Sequence, residues 1–301
     1  MDIASMRKEN GLRTKRAWLK IAALAGVGGA LAWVESERER NSLTIAHYTV
    51  TSRKLKGDRT LVFLSDLHDC RFGEKQKRLL AAIESVQPDA VLIGGDMMTV
   101  KKKAEIRSTC ALCRQLTERW PVCYAEGNHE ARLFRDRKHY GTLGAELKAA
   151  LFEMGVILLR DRSALLFRDL RVTGLCITEN FYKKCSREQM KKAYLDAHVG
   201  QADSGHFQLL LAHSPAFHEA YAAWGADLTL SGHFHGGTIC LPGGIGLMKP
   251  QIGFFQKNVR GIHERRGKLM IVSPGLGTHS VNVRINNRPQ IVAVHLKRAG
   301  V

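Results

Sequence analysis

The sequence predicts an α/β fold in which two sheets pack together within one domain. From Leu61 onward, short apolar runs alternate with amphipathic helical stretches, the rhythm of a largely parallel layered sheet. After residue 156 the strand candidates crowd together, as a second sheet requires. The 301 residues are 45% hydrophobic and 25% charged, which is the balance of a chain with a sizeable core and excludes disorder, collagen-like repeats and a polytopic membrane protein.

Residues 17–34 are apolar except for Lys20, and they follow Arg7, Lys8, Arg13, Lys15 and Arg16. A basic region ahead of an apolar one reads as a signal anchor or a signal peptide. The uncharged part, Ile21 to Val34, is shorter than the ~20 residues of a comfortable span, a shortfall that a snorkelling Lys20 would cover. Ala30-Leu31-Ala32 would serve as a cleavage site, so anchor and cleaved signal both stay open. Thr14 to Lys20 also resembles a twin-arginine export motif with Lys15 in place of the first arginine. The basic flank favours a cytoplasmic N-terminus with all that follows residue 35 beyond the membrane. The expected organisation is a basic region 1–16, the apolar segment 17–34, a polar connector with a first strand over 35–59, and the main domain 60–301.

Strands are predicted at Leu43–Val50, Leu61–Leu64, Ala90–Ile93, Val122–Ala125, Val156–Leu159, Ala164–Phe167, Arg171–Ile177, Phe207–Ala212, Leu228–Leu230, Lys268–Val272 and Ile291–His295. Helices are predicted at Lys75–Val86, Ile106–Arg119, Gly144–Met154, Arg187–His198 and Pro215–Trp224. The 7 cysteines are scattered and read as free thiols; Cys110 and Cys113 form a CxxC, but no second pair completes a zinc site. The net charge of +18 favours polyanions, phosphorylated substrates or an anionic lipid surface. Basic and aromatic residues are not interleaved as in a nucleic-acid surface, so nucleic acid is not the expected partner.

Ligands of open α/β sheets sit beyond the carboxyl ends of the strands. Reading those ends gives Asp66 and His68, then Gly94-Gly95-Asp96, then Gly127-Asn128-His129-Glu130, then His213, then Gly232-His233-Phe234-His235. Asp and His donors suit Mn, Fe or Zn, and the absence of Cys from the series argues against a closed structural zinc site.

In this order and spacing, D-x-H, G-D, G-N-H-E, H and G-H-x-H, the series resembles the calcineurin-like metallophosphoesterases over Asp66 to His235. The leading apolar segment and the late Gly275-Leu276-Gly277-Thr278 resemble the membrane-associated YkuE/YaeI-like branch. The resemblance implies a four-layer α/β/β/α sandwich behind an N-terminal hydrophobic helix. It implies two divalent ions (Mn, Zn or Fe, with Mg a further candidate), Asp96 bridging them. Asp66, His68 and His235 would complete one site, Asn128, His213 and His233 the other. It also implies that His129 faces the substrate as a catalytic residue and that Glu130 supports the loop. The expected activity is hydrolysis of a phosphoester by activated water, most simply a phosphodiester. A pyrophosphohydrolase of a lipid-linked nucleotide sugar of the UDP-diacylglucosamine type is the alternative, and a non-catalytic metal-binding scaffold the remote one. No substrate-binding residue is assigned. Lys101 to Lys103 and Arg132, Arg135, Arg137 and Lys138 flank two site loops as substrate or membrane contacts or as a solvated face, and Phe254-Phe255 beside Lys257 and Arg260 reads as a lipid, substrate or core contact. Asp69 has no role that the sequence discloses, and His279 reads as an ordinary loop residue near the rim.

Overall fold

The computed structural model describes residues 3–183, 188–249, 253–278 and 282–300. In chain order the elements are α1 (Ile3–Arg40), β1 (Thr44–Ser52), β2 (Arg59–Leu64), α2 (Lys77–Val86), β3 (Ala90–Ile93), α3 (Arg107–Thr117), β4 (Val122–Ala125), α4 (Asn128–Arg135), α5 (Arg137–Tyr140) and α6 (Leu143–Glu153). The second half holds β5 (Ile157–Leu159), β6 (Arg162–Phe167), β7 (Leu170–Leu175), α7 (Lys192–Val199), β8 (Phe207–Ala212), α8 (His218–Trp224), β9 (Leu228–Ser231), β10 (Cys240–Leu241), β11 (Ile245–Lys249), β12 (Gly253–Gln256), β13 (Gly261–Arg265), β14 (Lys268–Val272) and β15 (Gln290–Arg298).

One sheet runs β1-β15-β2-β3-β4-β5 and the other β13-β14-β9-β8-β7-β6. The central strands of both are parallel, β2 to β5 in the first and β7, β8, β9 and β14 in the second. Parallel strands covered on both faces need continuous apolar runs, and alternate residues then serve different layers. In β2, Leu61 and Phe63 enter the core between the sheets, while Val62 and Leu64 face a second core with Leu79 and Ile83 of α2 and Leu112 and Leu116 of α3. In β8, Leu209 and Leu211 join the inter-sheet core, and Leu210 and Ala212 pack with Leu195, Tyr221 and Trp224 from α7 and α8. Three apolar seams thus separate four layers, α/β/β/α.

Helix α1 runs on through Glu35–Arg40, where the sequence reading placed a polar connector. Its last turns are docked: Ser36 and Glu39, three residues apart and so on one face, are buried. Trp18–Arg40 is long and apolar enough to cross a membrane by length and composition, and Trp18, Leu24, Leu31 and Trp33 are exposed along it. Helix α2 starts two residues later than expected because Lys75 and Gln76 take left-handed conformations. The expected helix over 187–198 is shorter, beginning at Lys192, and a 3-10 turn over Pro215–Phe217 precedes α8. Helix α4, strand β13 and the three-stranded sheet β10-β11-β12 were not anticipated. Cys110 and Cys113 lie on α3, and burial pushes both thiols up, so the CxxC stays protonated. Cys185 and His279 lie outside the described residues.

Candidate metal centre

The strand ends converge on one buried cluster. Asp66 and His68 follow β2, Asp96 follows β3, Asn128 and His129 open α4 after β4, His213 follows β8, and His233 and His235 follow β9. Donor atoms of Asp66, His68 and His235 lie within 4.8 Å of one another, as do those of Asp96, His213 and His233. The structure therefore brings together Asp66, His68, Asp96, His129, His213, His233 and His235, and Asn128 precedes His129 at the start of α4.

The spacing suits cations. Donors 2.0–2.2 Å from one ion stand about 3.0–3.5 Å apart. Nε2 of His213 is 3.2 Å from Oδ2 of Asp96, Nε2 of His235 is 3.5 Å from Oδ1 of Asp66, and Nε2 of His68 is 3.3 Å from Nε2 of His235. Asp96 Oδ2 stands between the two groups, 3.8 Å from Nε2 of His68. Oδ1 of Asn128 is a buried acceptor with no hydrogen-bond partner among the described residues, a cost that a cation removes.

Hydrogen bonds set the tautomers. Nδ1 of His213 donates to Gly94 O at 2.7 Å, and Nδ1 of His235 donates to Gly277 O at 3.3 Å, because a carbonyl can only accept. Both therefore aim an Nε2 lone pair into the cluster, the arrangement of a metal-bound imidazole. His129 is the opposite. Its Nδ1 accepts from Val100 N at 2.6 Å, so Nε2 carries the proton. Although His129 also groups with His68 and Asp96 by distance, it presents a donor there, not a lone pair.

Burial resists ionisation of Asp96, but the imidazoles of His213, His129 and His68 outweigh it and hold the carboxyl well below its usual range. Burial likewise opposes a charge on His213, while Asp96 and Asp66 push its pKa up to about 10. Those carboxylates call for positive charge at that spot, which a divalent cation meets in place of the proton. Asp96 is fixed from three sides: Oδ1 accepts from His129 N at 2.8 Å, and its own N–H, with that of Met97, donates to the Glu130 carboxylate. Glu130 also accepts from Tyr124 Oη and Gly127 N. A Cβ on Gly127 would lie 2.2 Å from Oδ1 of Asp96, so only glycine lets α4 start there.

Asp66, His68, Asp96, His233 and His235 all have positive φ, between 46° and 67°. Side chains rarely adopt this region, and its concentration here reflects the sharp turns that point each donor inward. Asp69 proves to be a clamp, accepting from Thr99 N and Ser108 Oγ at 2.8 Å each.

Sequence reasoning missed two residues. The Tyr182 ring stands 4.9 Å from the His233 ring, edge to face, on a 3-10 turn that carried no recognisable signal. Arg284 is fully buried and donates to the carbonyls of Pro274, Gly275, Gly277 and Asn287, tying together the loops behind His235. The flanking basic residues are mostly exposed, but Arg132 donates to Val100 O and so braces the residue that holds His129, and Arg135 pairs with Glu179.

The calcineurin-like phosphoesterase family model matches residues 59–237, which span all five motifs. The chain belongs to this family. It is accordingly a hydrolase of phosphoric esters. It is similar to the metallophosphoesterase YkoQ of Bacillus subtilis, with 23% identity over 77% of this chain and 81% of the relative. It is also similar to the phosphodiesterase YaeI of Escherichia coli, with 25% identity over 78% and 81%. A transmembrane protein with a metallophosphoesterase domain from Danio rerio is 28% identical over 79% of this chain and 53% of that protein.

Proposed function

We propose that the chain is a phosphodiesterase in which Asp66, His68, Asp96 and His235 hold one divalent cation and Asp96, Asn128, His213 and His233 hold the other. The opposed tautomers carry this reading: His213 and His235 turn lone pairs inward, whereas His129 turns in a proton. When bound, a cation pair lowers the pKa of water and screens phosphoryl charge. The chain's own contribution is positional. His129 Nε2–H is placed to donate to a phosphoryl or leaving oxygen, with Val100 and Arg132 fixing its ring. Glu130 and Tyr124 hold the turn that presents Asp96. Two carboxylates against two dications leave a net positive site, which favours an anionic ester.

The name of YaeI supports a diester over a monoester. The apolar stretch of α1 anchors the chain in a membrane, with the basic residues before it on the cytoplasmic side and the domain beyond; the name of the Danio rerio relative supports anchoring. The full chain, stripped of metal and reloaded with Mn, Zn, Fe or Mg, tests the function on matched phosphomonoester, phosphodiester and nucleotide-sugar pyrophosphate. Cation-dependent turnover led by the diester, with two ions per chain, is the expected result. A folded protein that binds no cation would refute it.

A further inference from the structure

The foot of α1 and the metal centre share one hydrogen-bonded loop. Glu39 accepts from Asn287 N at 2.6 Å, and Ser36 Oγ accepts from Arg284 N at 3.0 Å. Asn287 Nδ2 donates onward to the carbonyl of His235 at 2.7 Å, and Asn286 Nδ2 to that of Cys240 at 3.0 Å. With Trp33 at the membrane interface, Glu39 lies only about 9 Å further along the helix. No flexible tether separates the site from the surface in which α1 would sit.

The β10-β11-β12 sheet is fastened to the same place. Its Gly246 packs so tightly on Gly237, in the turn that begins with His235, that a Cβ on Gly237 would come within 2.3 Å of it, and Leu247 N donates to Ile239 O. Strand β12 leaves two consecutive residues, Phe254 and Phe255, 58% and 64% exposed. Two consecutive exposed aromatics make an apolar patch of the kind that marks an interaction surface. Cations follow them in the chain and ring the helix foot: Lys257 is exposed, Arg260 donates to Asn286 O, exposed Arg288 lies within electrostatic reach of Glu35, and Arg78 donates to Asn41 O. Aromatic rings flanked by Lys and Arg match the acyl-headgroup boundary of an anionic bilayer.

We infer that the Phe254–Phe255 strand inserts into the bilayer that α1 spans and holds the metal centre against the headgroups, so that the substrate is a phosphodiester borne by a membrane lipid. The inference rests on the phosphodiesterase reading and names its substrate class. Water and the lipid diester would give a phosphomonoester and an alcohol: one P–O bond forms to the water oxygen, one breaks, and the leaving oxygen takes up the proton that the water gives up, while the Nε2–H of His129 hydrogen-bonds to a phosphoryl or leaving oxygen.

The test uses the full chain in phosphatidylcholine vesicles with and without phosphatidylglycerol. In a background carrying Trp18→Phe and Trp33→Phe, the indole introduced by Phe255→Trp is exposed to lipids brominated near the headgroup. Quenching comparable to that of Trp33 in the parent chain is expected. Separately, Phe254→Ser with Phe255→Ser should lower the ratio of phosphatidylglycerol turnover to soluble bis(p-nitrophenyl) phosphate turnover by about tenfold or more, since two buried aromatics are lost from the contact. An unquenched indole overturns the proposal, and so does an unchanged ratio. If the face instead joins two copies, the indole stays unquenched and the double variant loses a concentration-dependent oligomer in detergent. A chain inert on both substrates with every metal would refute the phosphodiesterase reading itself, an outcome kept distinct because quenching needs no turnover.

Discussion

Replacing His129 with Asn separates two jobs done by one ring. Asn places Oδ1 where His129 has Nδ1, so the buried Val100 N–H keeps its acceptor, while the Nε2–H that faces the cluster is lost. A positioned hydrogen-bond donor to developing charge is worth about 10²–10³ in rate, or roughly 3–4 kcal/mol of barrier. His129→Asn should therefore lower kcat by that factor and leave cation content and stability near the parent's. His129→Ala should lower kcat similarly and, by stranding a buried N–H, cost a further ~1–3 kcal/mol of folding stability. Steady-state kinetics, elemental analysis of bound metal and urea denaturation of both variants read the three quantities. A His129→Asn protein that lost a cation would make His129 a ligand, and one with full kcat would remove it from the reaction.

Asp96→Asn should abolish turnover and reduce bound metal, because one carboxylate serves both donor groups; two retained ions with full activity would refute the shared role. Glu39→Ala should destabilise the full chain by about 2 kcal/mol, since Asn287 N loses its buried acceptor, whereas Glu39→Gln, which keeps an oxygen there, should cost less than half as much. Equal losses in the two variants would show that charge, not the hydrogen bond, secures the helix foot. Burial works against the Asp227 carboxylate, but Gln208 N, Lys268 and Lys54 hold its pKa below the usual 3.8. A lowered folded pKa adds stability that is present above the unfolded value and lost as pH falls through the folded one. Asp227→Asn should thus cost about 2–3 kcal/mol near neutrality and progressively less below pH ~4, and a gap independent of pH would contradict this.

The layered core was legible because parallel strands covered on both faces must be apolar at every position. Runs such as Leu61 to Leu64 and Ala90 to Ile93 read directly, and polar residues immediately after them could only belong to the rim. Helix α4 was not legible because Leu133 is its one buried apolar side chain, too little for a helical period; the usable signal was Glu130, three residues after Gly127, whose N–H it accepts. Glycines and two prolines interrupt residues 240–256, so neither a period of two nor one of 3.6 emerges for the β10-β11-β12 sheet. Glu35 to Arg40 reads as a solvated charge run, because nothing local says that Ser36 and Glu39 will meet a loop nearly 250 residues away. The tautomers were beyond sequence altogether, since the partners of His129, His213 and His235 are backbone groups brought in by the fold.

The site also shows what the large core is for. Five of its residues hold a backbone conformation that costs of the order of 1–3 kcal/mol each, a sum comparable to the whole stability of an ordinary domain. Bonds from the scaffold offset that strain: Asp66 N to Gly95 O, His68 N to Asp96 O, His233 N to the Asp66 carboxylate, and Leu276 N to Ser65 O. The first two link the ends of neighbouring strands β2 and β3 and the last two link one sheet to the other, so a donor can relax only if two strands shift together. The buried Arg284 adds a further tie, because Gly277 O accepts from it and from His235 at once, while Gly277 N donates to Asp66 O. The donors are thus held in place by the sheets and not by the ions, which makes the chain an arranged receptor before any cation arrives. Metal removal should then leave the fold standing, and a stripped chain that unfolded would mean that the cations, not the strand ends, carry the strain.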